Sequence, residues 1–196
     1  MNFENPEQNL ISPIEKSVEK TGKQKKEEKL NSIRQNVESW TDIKEYGIDQ
    51  GIKETVVILN ALDIPTSQSC EGHFQEGTPN PWIMIKAVNE PKNIETIEYQ
   101  QWDKENEKLH KKVLSLLEEF YQSKEADEDI RLKIDKIWKG GFRLYNGPDE
   151  EIAEEEFNKL SDNKKSKLLL QIEKRQDEIQ AFTEFLKKKY FEEDKK

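Results

Sequence analysis

Four consecutive residues, Cys70-Glu71-Gly72-His73, hold the only cysteine and one of the two histidines of the chain. They set a thiol, a carboxylate and an imidazole around one glycine. Three chemistries are open to such a set. Cys70 is a candidate nucleophile with His73 as its base, provided the two side chains come within hydrogen-bond reach. Glu71 and His73 are candidates for moving protons on a bound substrate. Cys70 and His73 are candidate ligands for zinc or iron. Further donors would then come from Glu71, His110 or distant carboxylates, because the chain has no CxxC or HxxxH spacing. Gly72 permits a positive φ, which lets Glu71 and His73 converge on one point. The bland alternative makes Cys70 a small buried residue that ends a strand, and His73 a surface loop residue.

The elements that must position this turn are legible on both sides of it. Asp49 is a good N-cap for a helix over Gln50 to Leu62, whose interior (Ile52, Val56, Val57, Ile58, Leu59) is apolar on more than one face and therefore buried. Asp63-Ile64-Pro65 stops that helix, since proline cannot continue the ladder. Thr66 to Cys70 is small and β-tolerant and predicts a short strand. Gly72, Gly77 and Pro79 make Glu71 to Asn80 a loop, and Pro81 opens a second strand, PWIMIKA, at its permitted first position. Trp82 and Met84 share one face of that strand and are expected in the core.

Further along, apolar residues from Ile94 to Phe120 predict a long amphipathic helix to about Tyr121, weak over Asp103 to Lys108, with His110 on its polar side. Ile130 to Ile134 alternates as a half-buried strand, and Gly140-Gly141 then turns the chain into FRLYN, completing a hairpin. Period-two alternation puts Arg131, Lys133, Arg143 and Tyr145 on one face of it. If that face meets the Cys70 turn, it offers cations and a phenol to an anionic ligand.

Charged helices lie toward both ends. Leu30, Ile33, Val37 and Trp40 form one stripe behind the charge run Lys23 to Lys29. Leu168, Ile172, Ile179, Phe182 and Leu186 form another on a helix from Asp162 to Tyr190, preceded by a short acidic helix from Asp149. Arg175 and Lys189 interrupt that second seam, so packing onto the domain is favoured over self-association through this helix. The expected fold is α+β, a four-stranded, mainly antiparallel sheet covered by helices. Residues 1–24 are expected to be a disordered tail, 25–148 the α+β domain, and 149–196 a helical extension.

Composition narrows the function. With 33% hydrophobic and 37% charged residues, the 196-residue chain supports a core of roughly 100 to 120 residues. A net charge of -9 argues against nucleic acid held by a generally basic surface. One cysteine excludes an internal disulfide framework, no signal peptide is apparent, and no apolar run approaches a membrane span; a cytoplasmic protein is expected.

The string from Gly47 to Ile85 resembles an uncharacterised bacterial domain with a G-I-x-x-x-I-K-E-T-V helix, a T-x-x-S-C-E-G-H turn and a P-W strand. That resemblance spans roughly residues 40–88 and implies no activity. More remotely, Ser69, Cys70 and Gly72 are similar to the S-C-S-G-R turn of the wybutosine-synthesis methyltransferases, which modify tRNA with S-adenosylmethionine. Glu71 stands where that family has serine, and His73 where it has arginine.

The favoured expectation is a ligand- or metal-binding domain with its site at Cys70, Glu71 and His73. Ser69, Gly72, Arg143 and Tyr145 are its candidate ligand-binding residues. The alternatives are a helical interaction or self-association module and an RNA-modifying protein. No particular cofactor is indicated, and the sequence leaves open whether the chain is an enzyme.

Overall fold

The computed structural model describes residues 21–41, 46–73, 79–137, 140–148 and 154–192. Within them the order is α1 (Gly22–Glu38), α2 (Gln50–Ala61), β1 (Thr66–Cys70), β2 (Trp82–Ile85), α3 (Ile97–Gln122), β3 (Lys133–Lys136), β4 (Phe142–Tyr145), α4 (Glu154–Lys159) and α5 (Asp162–Glu192). The fold is α+β, with a four-stranded antiparallel sheet in the order β1-β2-β4-β3. The expected disordered tail lies outside the described residues up to residue 20. Thr21 to Gln24 instead begin α1: the Thr21 hydroxyl accepts from the Gln24 N–H, and the Gln24 side chain returns the bond.

The core is built around α2. Ile52, Val56, Val57, Ile58 and Leu59 are all buried, so neighbours must cover this helix on several sides. α1, α5 and β1 do so. Each such side chain taken out of water contributes roughly 1.5–3 kcal/mol before chain entropy is offset. The α2–α5 seam carries one polar pair: the buried Thr55 and Thr183 hydroxyls lie 2.7 Å apart. Thr183 donates its proton to the Ile179 carbonyl, so Thr55 is the donor between the two.

Most of each helical stripe is covered within the chain, with Ile33, Trp40 and Leu168 half-buried. Leu30 and Val37 of α1, and Ile172, Ile179, Phe182 and Leu186 of α5, are buried. Leu30, Val37, Ile179, Phe182, Leu186 and Tyr190 join Ile83, Ile85 and Leu144 of the sheet in a single cluster. The packing therefore runs across the division expected at residue 148, and α5 belongs to the same core as the sheet. The expected start of the acidic helix, residues 149–153, lies outside the described residues.

Register assigns the two faces of the sheet. Ile83 pairs with Leu144, which pairs with Ile134, and this row faces the helices. The opposite face carries the row Cys70, Trp82, Tyr145, Lys133 and the row Gln68, Met84, Arg143, Asp135. Trp82 and Met84 are therefore half-buried on the face away from the helices, which corrects their expected place in the core. Arg143 lies over the Trp82 ring, 5.0 Å from its centroid.

The strand expected from Ile130 begins only at Lys133. Asp127 O accepts from the N–H groups of Ile130 and Arg131, closing a turn, and Leu132 N donates to the Tyr121 hydroxyl. Arg131 consequently leaves the sheet face and stacks on Tyr121 at 4.1 Å. Asn106 explains how the weak middle of α3 holds. Fully buried, it accepts from Ala87 N and donates to the Trp102 carbonyl. His110 is less exposed than expected, its ring stacked on Phe142 at 4.5 Å.

Candidate metal centre

Three elements converge beside the first turn of α2. β1 carries Cys70 to the outer face of the sheet, where only 7% of the residue is exposed. Gly72 then turns the chain with φ +85, a conformation that costs other residues about 1–2 kcal/mol. A Cβ at this position would lie 2.8 Å from Pro81 N and 2.9 Å from Pro79 O, so the close return of the chain at 79–81 also demands glycine. That turn brings His73 back toward the residue before α2, Asp49. The His73 Nε2 lies 3.8 Å from Asp49 Oδ2, with side chains 34% and 32% exposed.

Asp49 occupies the cap position of α2 but makes no side-chain capping bond. Its Oδ2 accepts instead from Glu71 N at 3.0 Å. The cap comes from across the turn: Gly51 N donates to Glu71 Oε2 at 2.6 Å. Glu71 thereby puts negative charge at the positive end of the α2 dipole. This exchange leaves Asp49 Oδ2 facing His73 and commits the Glu71 side chain to a structural bond.

The result is a triad. One donor atom from each of Asp49, Cys70 and His73 lies within 4.8 Å of the others. A tetrahedral zinc ion with Zn–S near 2.3 Å and Zn–N or Zn–O near 2.0–2.2 Å needs its donors about 3.3–3.8 Å apart. The Asp49–His73 edge, 3.8 Å, joins an oxygen to a nitrogen, for which the ideal is about 3.3–3.5 Å, so it closes by roughly 0.3–0.5 Å on binding. The widest edge, 4.8 Å, requires closure by about 1 Å. The Gly72 N–H points at Cys70 Sγ, 3.4 Å away.

α5 supports the turn from behind. The Gln176 side-chain amide donates to the carbonyls of Glu71, at 3.0 Å, and Gly72, at 3.1 Å. Apart from the turn, Gln180 docks α5 on α2 by donating to the Gly51 carbonyl.

Of the residues singled out in the sequence, Cys70 and His73 meet. Glu71 contributes its backbone N–H to Asp49 and its carboxylate to α2. Ser69 pairs in register with the buried Ile83 and lies on the opposite face of β1 from Cys70. Gly72 serves through its backbone. Tyr145 shares the Cys70 row with Trp82 between them, two strand spacings away, or about 10 Å. The Tyr145 hydroxyl donates to Asp135 Oδ2 at 2.5 Å. Arg143 stands in the next row. The hairpin face thus adjoins the turn as one sheet surface. His110 is stacked on Phe142 and is no part of the triad. Asp49 and Gln176 were not anticipated as site residues. Asp49 carried a signal, a carboxylate just before α2, which has the ordinary meaning of a cap; Gln176 carried none.

Comparison with models of protein families, with curated proteins and with solved structures found no match.

Proposed function

We propose that the protein binds a divalent transition metal ion, zinc by its donor set, through Asp49, Cys70 and His73. The observation that carries this reading is the approach of three different donors to within 4.8 Å of one another. Thiolate and imidazole suit zinc and disfavour magnesium or calcium, and a carboxylate completes the set. Three protein ligands leave one tetrahedral position for water or a substrate atom, as in zinc sites that do chemistry. Such an ion acidifies its bound water toward neutrality and polarises a bound carbonyl or phosphoryl oxygen. Around it, Glu71 N holds the Asp49 carboxylate and Gly72 N holds the sulfur, bonds of the kind that orient metal ligands.

Native mass spectrometry of zinc-loaded, buffer-exchanged protein tests the reading. One zinc per chain is expected, absent from Cys70→Ser and His73→Ala. Cobalt loading should add a thiolate charge-transfer band that Cys70→Ser removes. A wild-type chain that retains neither metal, or variants that retain as much as wild type, would overturn it.

A further inference from the structure

We infer that Gln176, on α5, is a positioning residue for the metal triad, tying its ligand geometry to a helix distant in sequence. The inference rests on the metal reading above. Its physical content lies in two peptide planes. The 71–72 peptide has its carbonyl on the Gln176 amide at 3.0 Å and its N–H directed at Cys70 Sγ at 3.4 Å. The 72–73 peptide has its carbonyl on the same amide at 3.1 Å, and its nitrogen is that of His73. One side-chain NH2 group therefore fixes both planes, and both of its hydrogens are used. The first plane aims a donor at the thiolate; the second sets the direction from which the imidazole leaves the chain. Polarising the Glu71 carbonyl also strengthens the N–H of the same peptide as a donor to sulfur. Glu71 is tied to α2 on one side of the turn, but Gly72, with φ +85, has no side chain, so the Gln176 amide is the tether that acts on its carbonyl.

A bond at the same helix interface supplies the control. Gln180 donates to the Gly51 carbonyl on α2 and touches neither peptide plane. Removing it weakens α5 docking and leaves the turn tethered.

The experiment compares full-length wild type, Gln176→Met and Gln180→Met. Zinc affinity, the cobalt charge-transfer spectrum and the metal-free Tm are measured on each. Methionine keeps the length of glutamine and removes the donor. Gln176→Met is expected to weaken zinc binding roughly tenfold, the scale of losing a bond that orients a metal ligand, and to shift the cobalt–thiolate band. Gln180→Met is expected to leave both near wild type whatever it does to Tm. Wild-type affinity and spectrum in Gln176→Met would overturn the inference while sparing the metal site. Equal losses in the two variants, in proportion to their falls in Tm, would overturn it too, because α5 docking alone would then account for the effect. A wild-type chain that binds neither metal would remove the metal reading itself, and this inference with it.

Discussion

Glu71 is the residue on which a catalytic and a structural reading part most cleanly. In the sequence it stands between a thiol and an imidazole and invites the role of general base. In the structure its Oε2 accepts from Gly51 N at 2.6 Å and serves as the cap that Asp49 does not supply. Losing a capping oxygen costs about 0.5–2 kcal/mol. The charge at the helix N-terminus adds about 0.3–1 kcal/mol. The site is partly wet, which argues for the middle of these ranges, so Glu71→Ala should cost about 2 kcal/mol. Glu71→Gln keeps an acceptor oxygen and loses the charge, and should cost about 0.5–1 kcal/mol. For a chain of this size each kcal/mol lowers Tm by about 2–4 °C, giving falls of about 4–8 °C for alanine and about 1–4 °C for glutamine. Thermal melts followed by far-UV circular dichroism, on metal-free protein, read this directly. Zinc binding should survive in Glu71→Gln, since the backbone N–H that holds Asp49 remains. An alanine variant as stable as wild type would refute the capping argument and return the carboxylate to the list of chemically active groups.

Gly72→Ala should be the harsher change at this turn. It combines a φ of +85 with a Cβ 2.8 Å from Pro81 N, so backbone strain and overpacking together should cost about 2–5 kcal/mol. A Tm fall smaller than that of Glu71→Ala would contradict it. On the α1–α2 face, Arg34 donates to both Glu54 oxygens, at 2.7 and 3.0 Å, and holds that carboxyl below its ordinary value of 4.5 against the opposing effect of burial. A depressed carboxyl contributes stability above its unfolded pKa and loses it as pH falls through the folded one. The Tm gap between wild type and Glu54→Gln should therefore be present at neutral pH and close in the acid range below about 4, as a pH series of melts would show. A gap unchanged across that series would exclude the ion pair as its source.

The sequence carried the local half of this architecture well. α2 and β1 are bracketed by residues with unambiguous backbone chemistry: Asp49 and Pro65 around the helix, Gly72 and Pro81 around the loop. The observed spans differ from the expected ones by one residue or none. Alternation failed where a tertiary bond competed with it. Ile130 to Ile134 has the pattern of a strand, yet the Tyr121 hydroxyl claims Leu132 N and the strand starts only at Lys133, three residues later than expected. Period two also separates the faces of β2 without saying which is wet, and so Trp82 and Met84 were assigned to the wrong one. At the site, Cys70 and His73 were visible because they are neighbours in sequence. Asp49 was visible only as a cap, since nothing local reveals that Glu71 performs that function from across the turn.

The interruptions of the α5 seam have a related meaning. A heptad with a charged residue in it reads as a failed coiled coil. Yet Arg175 is buried, donating to the Asp129 carbonyl and to Asn80 Oδ1, while the Asn146 side chain donates to the Arg175 carbonyl. One turn on, the buried Glu178 accepts from Tyr121 and Lys124. An all-apolar stripe tolerates sliding along α2, because Leu, Ile and Phe exchange places at modest cost. A buried guanidinium and carboxylate do not, since each position off register strands a desolvated charge. Slipping α5 by one residue would rotate its side chains by about 100° and one turn would move them about 5.4 Å. Either displacement would take Gln176 away from the Glu71 and Gly72 carbonyls. Arg175, which spoils the seam as a dimerisation motif, thus joins Glu178 in setting where Gln176 stands, and through it the turn that presents Cys70 and His73.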